Sequence, residues 1–163
     1  MGTQNDNTTA ASQFRDAFPV SFLIHQLEQK LSAQGRALIA RHSDLTLPQW
    51  RIIRVVGLGV AEGSTALRKV LGFDKSQFSK TVNQLQARGL VSLSTHPRDG
   101  RQFCLSLTEA GRETLHRLAP VVDARNAFLM QALSEDERNV IRTMLLKLTR
   151  AAEVSELPDG LDT

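Results

Sequence analysis

Large apolar side chains recur at helical spacing along most of the 163-residue chain. Val20, Leu23, Leu27, Leu31 and Leu38 fall near one stripe and predict a long first helix. Pro48 suits the first turn of a second helix. That helix is apolar nearly all round (Trp50, Ile52, Ile53, Val55, Val56, Leu58), which predicts a central, buried element. Ser64 stands where it can cap a short third helix, with Leu67, Val70 and Leu71 inward and Gly72 as its stop. Asp74 and Gln77 read as an N-cap and its reciprocal partner. They open a fourth helix whose Phe78, Val82 and Leu85 share one face until Gly89. The period then drops to two. Val91 and Leu93, answered after a loop by Phe103, Leu105 and Leu107, predict the strands of one hairpin. Thr108 caps a fifth helix running towards Leu133. Ser134 with Glu137 makes a capping box for a sixth, with Ile141, Leu145, Leu148 and Ala152 in line. The fold class is mainly α with a small β-hairpin.

Composition narrows the setting. A 41% hydrophobic content supports a real core. The opening MGTQNDNTTAASQ has neither a basic stretch nor an apolar one, so no signal peptide is expected. No apolar run approaches a bilayer span, and the single Cys104 forms no internal disulfide. The expected setting is the cytoplasm, without a membrane. Cys104, between Phe103 and Leu105 in a strand, reads as inert. The four histidines, His25, His42, His96 and His116, lack paired spacing, so no metal site is expected. With no phosphate loop and no nucleophile elbow, the chain reads as neither an enzyme nor a cofactor binder.

Charge changes the picture most. Arg68, Lys69, Lys75, Lys80, Arg88, Arg98 and Arg101 face only Asp74 and Asp99 between positions 68 and 101, a balance of +5. The remaining 13 basic and 15 acidic residues sum to −2. A short helix, a tight Gly72-Phe73 turn and a second helix make a helix-turn-helix, followed at once by a basic-tipped hairpin. The second of these helices presents Lys75, Ser76, Gln77, Ser79, Lys80, Thr81, Asn83 and Gln84, with no acid from Lys75 through Ala87. Hydroxyls and amides can meet base edges while lysines meet phosphates, so double-stranded DNA is the expected partner. A helix that only faced water would more often carry Glu–Lys pairs at four-residue spacing. In the hairpin LVSLSTHPRDGRQFCLSLT, Arg101 and then Arg98 are the candidates to enter a minor groove. Asp99 is assigned to holding a neighbouring arginine by a charge-assisted bond, against the plainer reading of a self-satisfied Asp-Gly turn.

Three separated motifs carry a family resemblance: Leu85-Gln86-Ala87-Arg88-Gly89-Leu90-Val91, Asp99-Gly100-Arg101, and Leu107-Thr108-Glu109-Ala110-Gly111. In these, and in helix order from about residue 18 to 153, the chain resembles the MarR family of winged-helix transcriptional regulators. The resemblance implies a winged helix-turn-helix flanked by N- and C-terminal dimerisation helices. It implies a reading helix at Asp74–Arg88 and a wing at Thr95–Gln102. On this reading residues 1–13 are a disordered tail and 14–45 a first, dimerising helix. Residues 46–109 form the DNA-binding domain, 110–153 long dimerising helices, and 154–163 a flexible tail. The expected function is that of a homodimeric, ligand-responsive repressor on a palindromic operator. Its effector is expected to be a small aromatic or phenolic anion in a pocket drawing on His25, Trp50, Arg54 and Arg112. The alternative is a winged-helix protein-interaction or architectural module without a specific operator. Ser92 and Ser94 stand where relatives often carry charge, and Gly100 replaces a bulkier residue, so fewer phosphate contacts and a looser wing tip are expected.

Overall fold

A computed structural model describes residues 19–153 of the chain. The predicted tails, 1–13 and 154–163, and residues 14–18 of the predicted first helix lie outside the described residues. The elements run α1 (Val20–His42), α2 (Leu47–Leu58), α3 (Gly63–Leu71), α4 (Lys75–Ala87), β1 (Val91–Thr95), β2 (Phe103–Leu107), α5 (Glu109–Met130) and α6 (Glu135–Ala152). The described residues divide into two compact units that part between Ala119 and Pro120. The division falls at Pro120, inside α5, where the missing N–H removes one helical hydrogen bond.

In the first unit, α2 is the hub, touching α1, α3, α4 and β2. Its start is fixed by a capping box that pairs Thr46 with Gln49, and by a proline in the first turn. Trp50, Ile52 and Ile53 are buried, as the apolar pattern predicts. The far end departs from it: Val55 and Val56 are half-buried and Leu58 is exposed. Val70 of α3 is likewise exposed rather than inward, while Leu67 is buried. The α3 helix begins one residue before Ser64, so Ser64 is not its cap, and the N-cap residue Glu62 makes no side-chain capping bond. Gly72 ends it in the left-handed region (φ 65°).

Asp74 caps α4 by accepting the Gln77 N–H at 2.7 Å, without the reciprocal bond of a full box. Phe78, Val82 and Leu85 face the core. The hairpin pairs Val91 with Leu107, Leu93 with Leu105 and Thr95 with Phe103, so the expected apolar set shares one face. Cys104, opposite Ser94, is half-buried. Two of the quoted motifs meet where α5 begins. The Thr108 hydroxyl donates to the Gly89 carbonyl at 2.6 Å and accepts the Gly111 N–H at 3.1 Å. A Cβ at Gly111 would collide with the Leu90 carbonyl oxygen.

In the second unit, α6 has the predicted Ser134–Glu137 capping box. None of its residues is buried, and Ile141, Met144, Leu145 and Leu148 are all exposed. Among the described residues, no helix is long and apolar enough to cross a membrane.

Candidate nucleic-acid interface

The α4 helix is held from below and at its C-terminal end. Below, its Phe78 ring stacks on Phe103 of β2, with centroids 6.3 Å apart and planes 15° off parallel, which ties the helix to the hairpin. At its C-terminus Arg88 donates to the Asp44 carboxylate at 2.6 Å and contacts the Gln49 amide at 3.4 Å. Gln49 in turn donates to Gln84 at 3.2 Å. The Arg88 guanidinium holds the Asp44 carboxyl below its ordinary range, by hydrogen bond first and charge second. Arg88 belongs to the predicted basic surface by composition, yet the structure pairs it with an acid.

Between those anchors, Lys75, Ser76, Gln77, Ser79, Lys80, Asn83 and Gln84 are exposed, as expected of a reading face. Thr81 is the exception. It is buried, and its hydroxyl donates to the Gln77 carbonyl at 2.7 Å, so it does not share the outward face. Helical geometry explains the error: Thr81 lies three residues from Phe78 and four from Leu85, on the core side.

The hairpin tip lies beside the first turn of α4. Lys75, Ser79, Arg68 and Arg101 line one open cleft of about 350 Å³, with Phe78 and Phe103 at its floor. Arg101, the first candidate of the wing, is thereby brought to α4; Arg98 is exposed and does not line this cleft. Arg68 also donates to the Phe73 carbonyl at 3.3 Å, bracing the helix-turn-helix corner.

Asp99 departs from its assigned role. Its carboxylate accepts the Gln102 amide at 2.8 Å and the Arg101 backbone N–H at 3.0 Å, rather than an arginine side chain. Those two bonds, the Gln102 one first, hold the Asp99 carboxyl below its ordinary range. The plainer turn reading is the one the geometry follows. Gln102 is a residue that sequence reasoning passed over; its only signal was an amide three positions after an Asp that opens a turn.

The four proposed pocket residues do not share the open cleft that Arg112 lines. Trp50 is buried core, and His25 is exposed on α1. Arg112 spans β2 and α5, donating to the Leu107 carbonyl at 2.9 Å and the Glu109 carboxylate at 2.6 Å. It lines a separate open cleft of about 420 Å³ with Val56, Leu107, Leu115 and His116, whose walls include neither Trp50, Arg54 nor His25. Among the described residues, no group of histidine, cysteine and carboxylate side chains could hold a metal ion.

Known proteins share this arrangement. A sequence model of the MarR family matches residues 43–102, the helix-turn-helix and the hairpin tip. A protein described as a transcriptional regulator for the hcr operon of Thauera aromatica is 31% identical over 107 residues. That match covers 66% of this chain but only 63% of the relative's length. The helix-turn-helix transcriptional regulator YdcH of Bacillus subtilis is 31% identical over 121 residues, covering 71% of this chain and 81% of the relative. The Staphylococcus aureus MepR–DNA complex superposes with a TM-score of 0.71 over 82% of this chain and 98% of that one; at 18% identity it speaks for the fold alone. With the helix-turn-helix, the hairpin and these relatives in agreement, the chain belongs to the MarR family of transcriptional regulators.

Proposed function

We propose that the chain acts as a homodimeric repressor that reads a palindromic operator in double-stranded DNA. One observation carries this reading: Lys75 and Ser79 of α4 and Arg101 of the hairpin tip line one concave, acid-free surface. On it the polar side chains of α4 read major-groove edges and Arg101 follows the adjoining minor groove. Lys75, Ser76, Gln77, Ser79, Lys80, Asn83, Gln84 and Arg98 complete the contact set, and Asp99 acts by shaping the turn. The MepR–DNA complex shows the same fold in a protein that holds DNA. Apolar surface supports the dimer. Val20 and Leu27 of α1 and Leu145 and Leu148 of α6 are 42–61% exposed in the single chain, as helices that meet a second copy require. The domain roles follow: residues 46–109 bind DNA, and the helices before and after them pair the subunits.

A small aromatic or phenolic anion is the proposed effector. The cleft beside Arg112 and His116 offers it apolar walls and hydrogen-bond donors at the Arg112 guanidinium. A ligand favouring a geometry that cannot hold DNA releases the operator through its differential affinity alone.

Selection of bound fragments from a random duplex pool tests the reading directly. The recovered motif should be an imperfect palindrome. Arg101→Ala should lower affinity for it about tenfold or more, while sedimentation still shows a dimer. Undiminished affinity would remove the wing from the interface; no enrichment at low salt would favour an architectural module. Phenolic acids added to the same binding assay test the effector.

A further inference from the structure

The start of α3 is capped from the wing rather than by its own N-cap residue. Glu62, in the N-cap position, makes no side-chain bond to the helix. The third N–H of the helix, that of Thr65, is accepted instead by the Gln102 side-chain carbonyl at 3.3 Å, 37 residues along the chain. The other end of the same amide donates to Asp99 at 2.8 Å, and Asp99 accepts the Arg101 backbone N–H at 3.0 Å. Three bonds thus run in series from the helix-turn-helix to the backbone of the wing arginine. An uncharged amide suits the middle position because it accepts at one end and donates at the other.

Backbone geometry reinforces the approach. The Gln102 N–H donates to the Asp99 carbonyl at 2.9 Å and the His96 N–H to the Gln102 carbonyl at 3.1 Å, closing the tip on itself. Gly63 lies beneath, in the left-handed region (φ 76°); a Cβ there would stand 3.0 Å from the His96 ring and 3.1 Å from the Gln102 side-chain Oε1. A side chain at Gly63 would push the tip away. The Arg101 guanidinium itself has no hydrogen-bond or ion-pair partner among the described residues, so only its backbone is fixed.

We propose that Gln102 is a positioning residue for DNA binding, latching the wing to the N-terminus of α3 so that Arg101 is presented beside α4 before DNA arrives. The inference rests on the DNA-reading function proposed above. Its physical content is preorganisation: a tip held in place does not have to be ordered at the moment of binding. Gln102 touches no base or phosphate on this account and acts only through Arg101.

The test uses the full-length chain and the duplex recovered from the random pool. Gln102→Ala should weaken binding about fivefold, the scale of one ordering hydrogen bond. It should add nothing further in the Arg101→Ala background, since both changes remove the same contact. The reversed pair Asp99→Asn with Gln102→Glu keeps the net charge and restores every bond in the series. The amide now at position 99 donates to the carboxylate at position 102, which still accepts the Thr65 N–H. This double variant should bind like the original chain, whereas Gln102→Glu alone, with two carboxylates facing, should not. Amide exchange at Thr65, measured without DNA, should quicken in Gln102→Ala and recover in the reversed pair. Unchanged Thr65 exchange, additive losses with Arg101→Ala, or no recovery in the reversed pair would each overturn the latch. A wild-type chain that binds no duplex would instead overturn the DNA reading on which it rests.

Discussion

Gly111 shows how much a single missing methyl can decide. It sits in the first turn of α5, where helix propensity alone favours alanine over glycine by about 1 kcal/mol. A Cβ at this position, however, meets the Leu90 carbonyl oxygen, which is backbone and cannot rotate away. Leu90 is itself fixed: its N–H bonds the Leu85 carbonyl at 3.0 Å and its carbonyl accepts the Thr108 N–H at 3.2 Å. Sterics should therefore outweigh propensity, and Gly111→Ala should lower the unfolding free energy by about 2 kcal/mol or more. Urea denaturation measures this, and a stabilised variant would contradict the packing. The family motifs were legible as strings, Gly89-Leu90 here and Thr108 to Gly111 there, but their reason was not. Nothing in periodicity says that two glycines 22 positions apart serve one junction. Asp99 departs from its expected role for a related cause: sequence shows which charges are near, not which backbone N–H lies nearer still.

At the scale of the element, α4 owes its pose to neighbours that sequence does not display. Its core face was plain from Phe78, Val82 and Leu85, and so was its cap, because both follow from spacing within the helix. Its C-terminal anchor was not, since Arg88 reaches across 44 positions to Asp44. Thr81 has the chemistry of an outward face, but its angular position on the helix sends it inward. The Arg88 pair has a consequence in acid. Asp44 titrates below its ordinary value of 3.8 in the folded chain, so the folded state binds its proton less readily than the unfolded one. Its contribution is therefore complete above that ordinary value and disappears as pH falls through the lowered one. The pair should leave stability flat at neutral pH and steepen its decline below about pH 4. Asp44 is largely exposed, so the effect is small. Asp44→Asn should flatten that part of the decline in urea midpoints taken from about pH 6 to pH 2. An identical acid profile would show that the pair does not persist in solution.

For the whole molecule, charge placement and copy number have to be read together. The +5 window between positions 68 and 101 overstates what faces a duplex. Arg88 is neutralised by Asp44, Arg68 is engaged with the Phe73 carbonyl, and Lys69 lies on α3 outside the proposed contact set. Lys75, Lys80, Arg98 and Arg101 remain as the phosphate-facing cations of that set. Four in one subunit make about eight in a dimer, which predicts a slope near −7 for the logarithm of affinity against that of salt concentration. Between about 50 and 200 mM salt, affinity should then fall roughly ten-thousandfold. A single subunit engaging DNA alone would give about half that slope. Salt titration of operator binding thus counts subunits as well as phosphates, independently of sedimentation. Exposed apolar side chains along α1 and α6 predict the steeper value, because in the proposed dimer they are the surface that meets the second copy. Should the slope stay near −4 while the free protein sediments as a dimer, the two reading helices do not engage one duplex together, and the palindrome would have no physical basis.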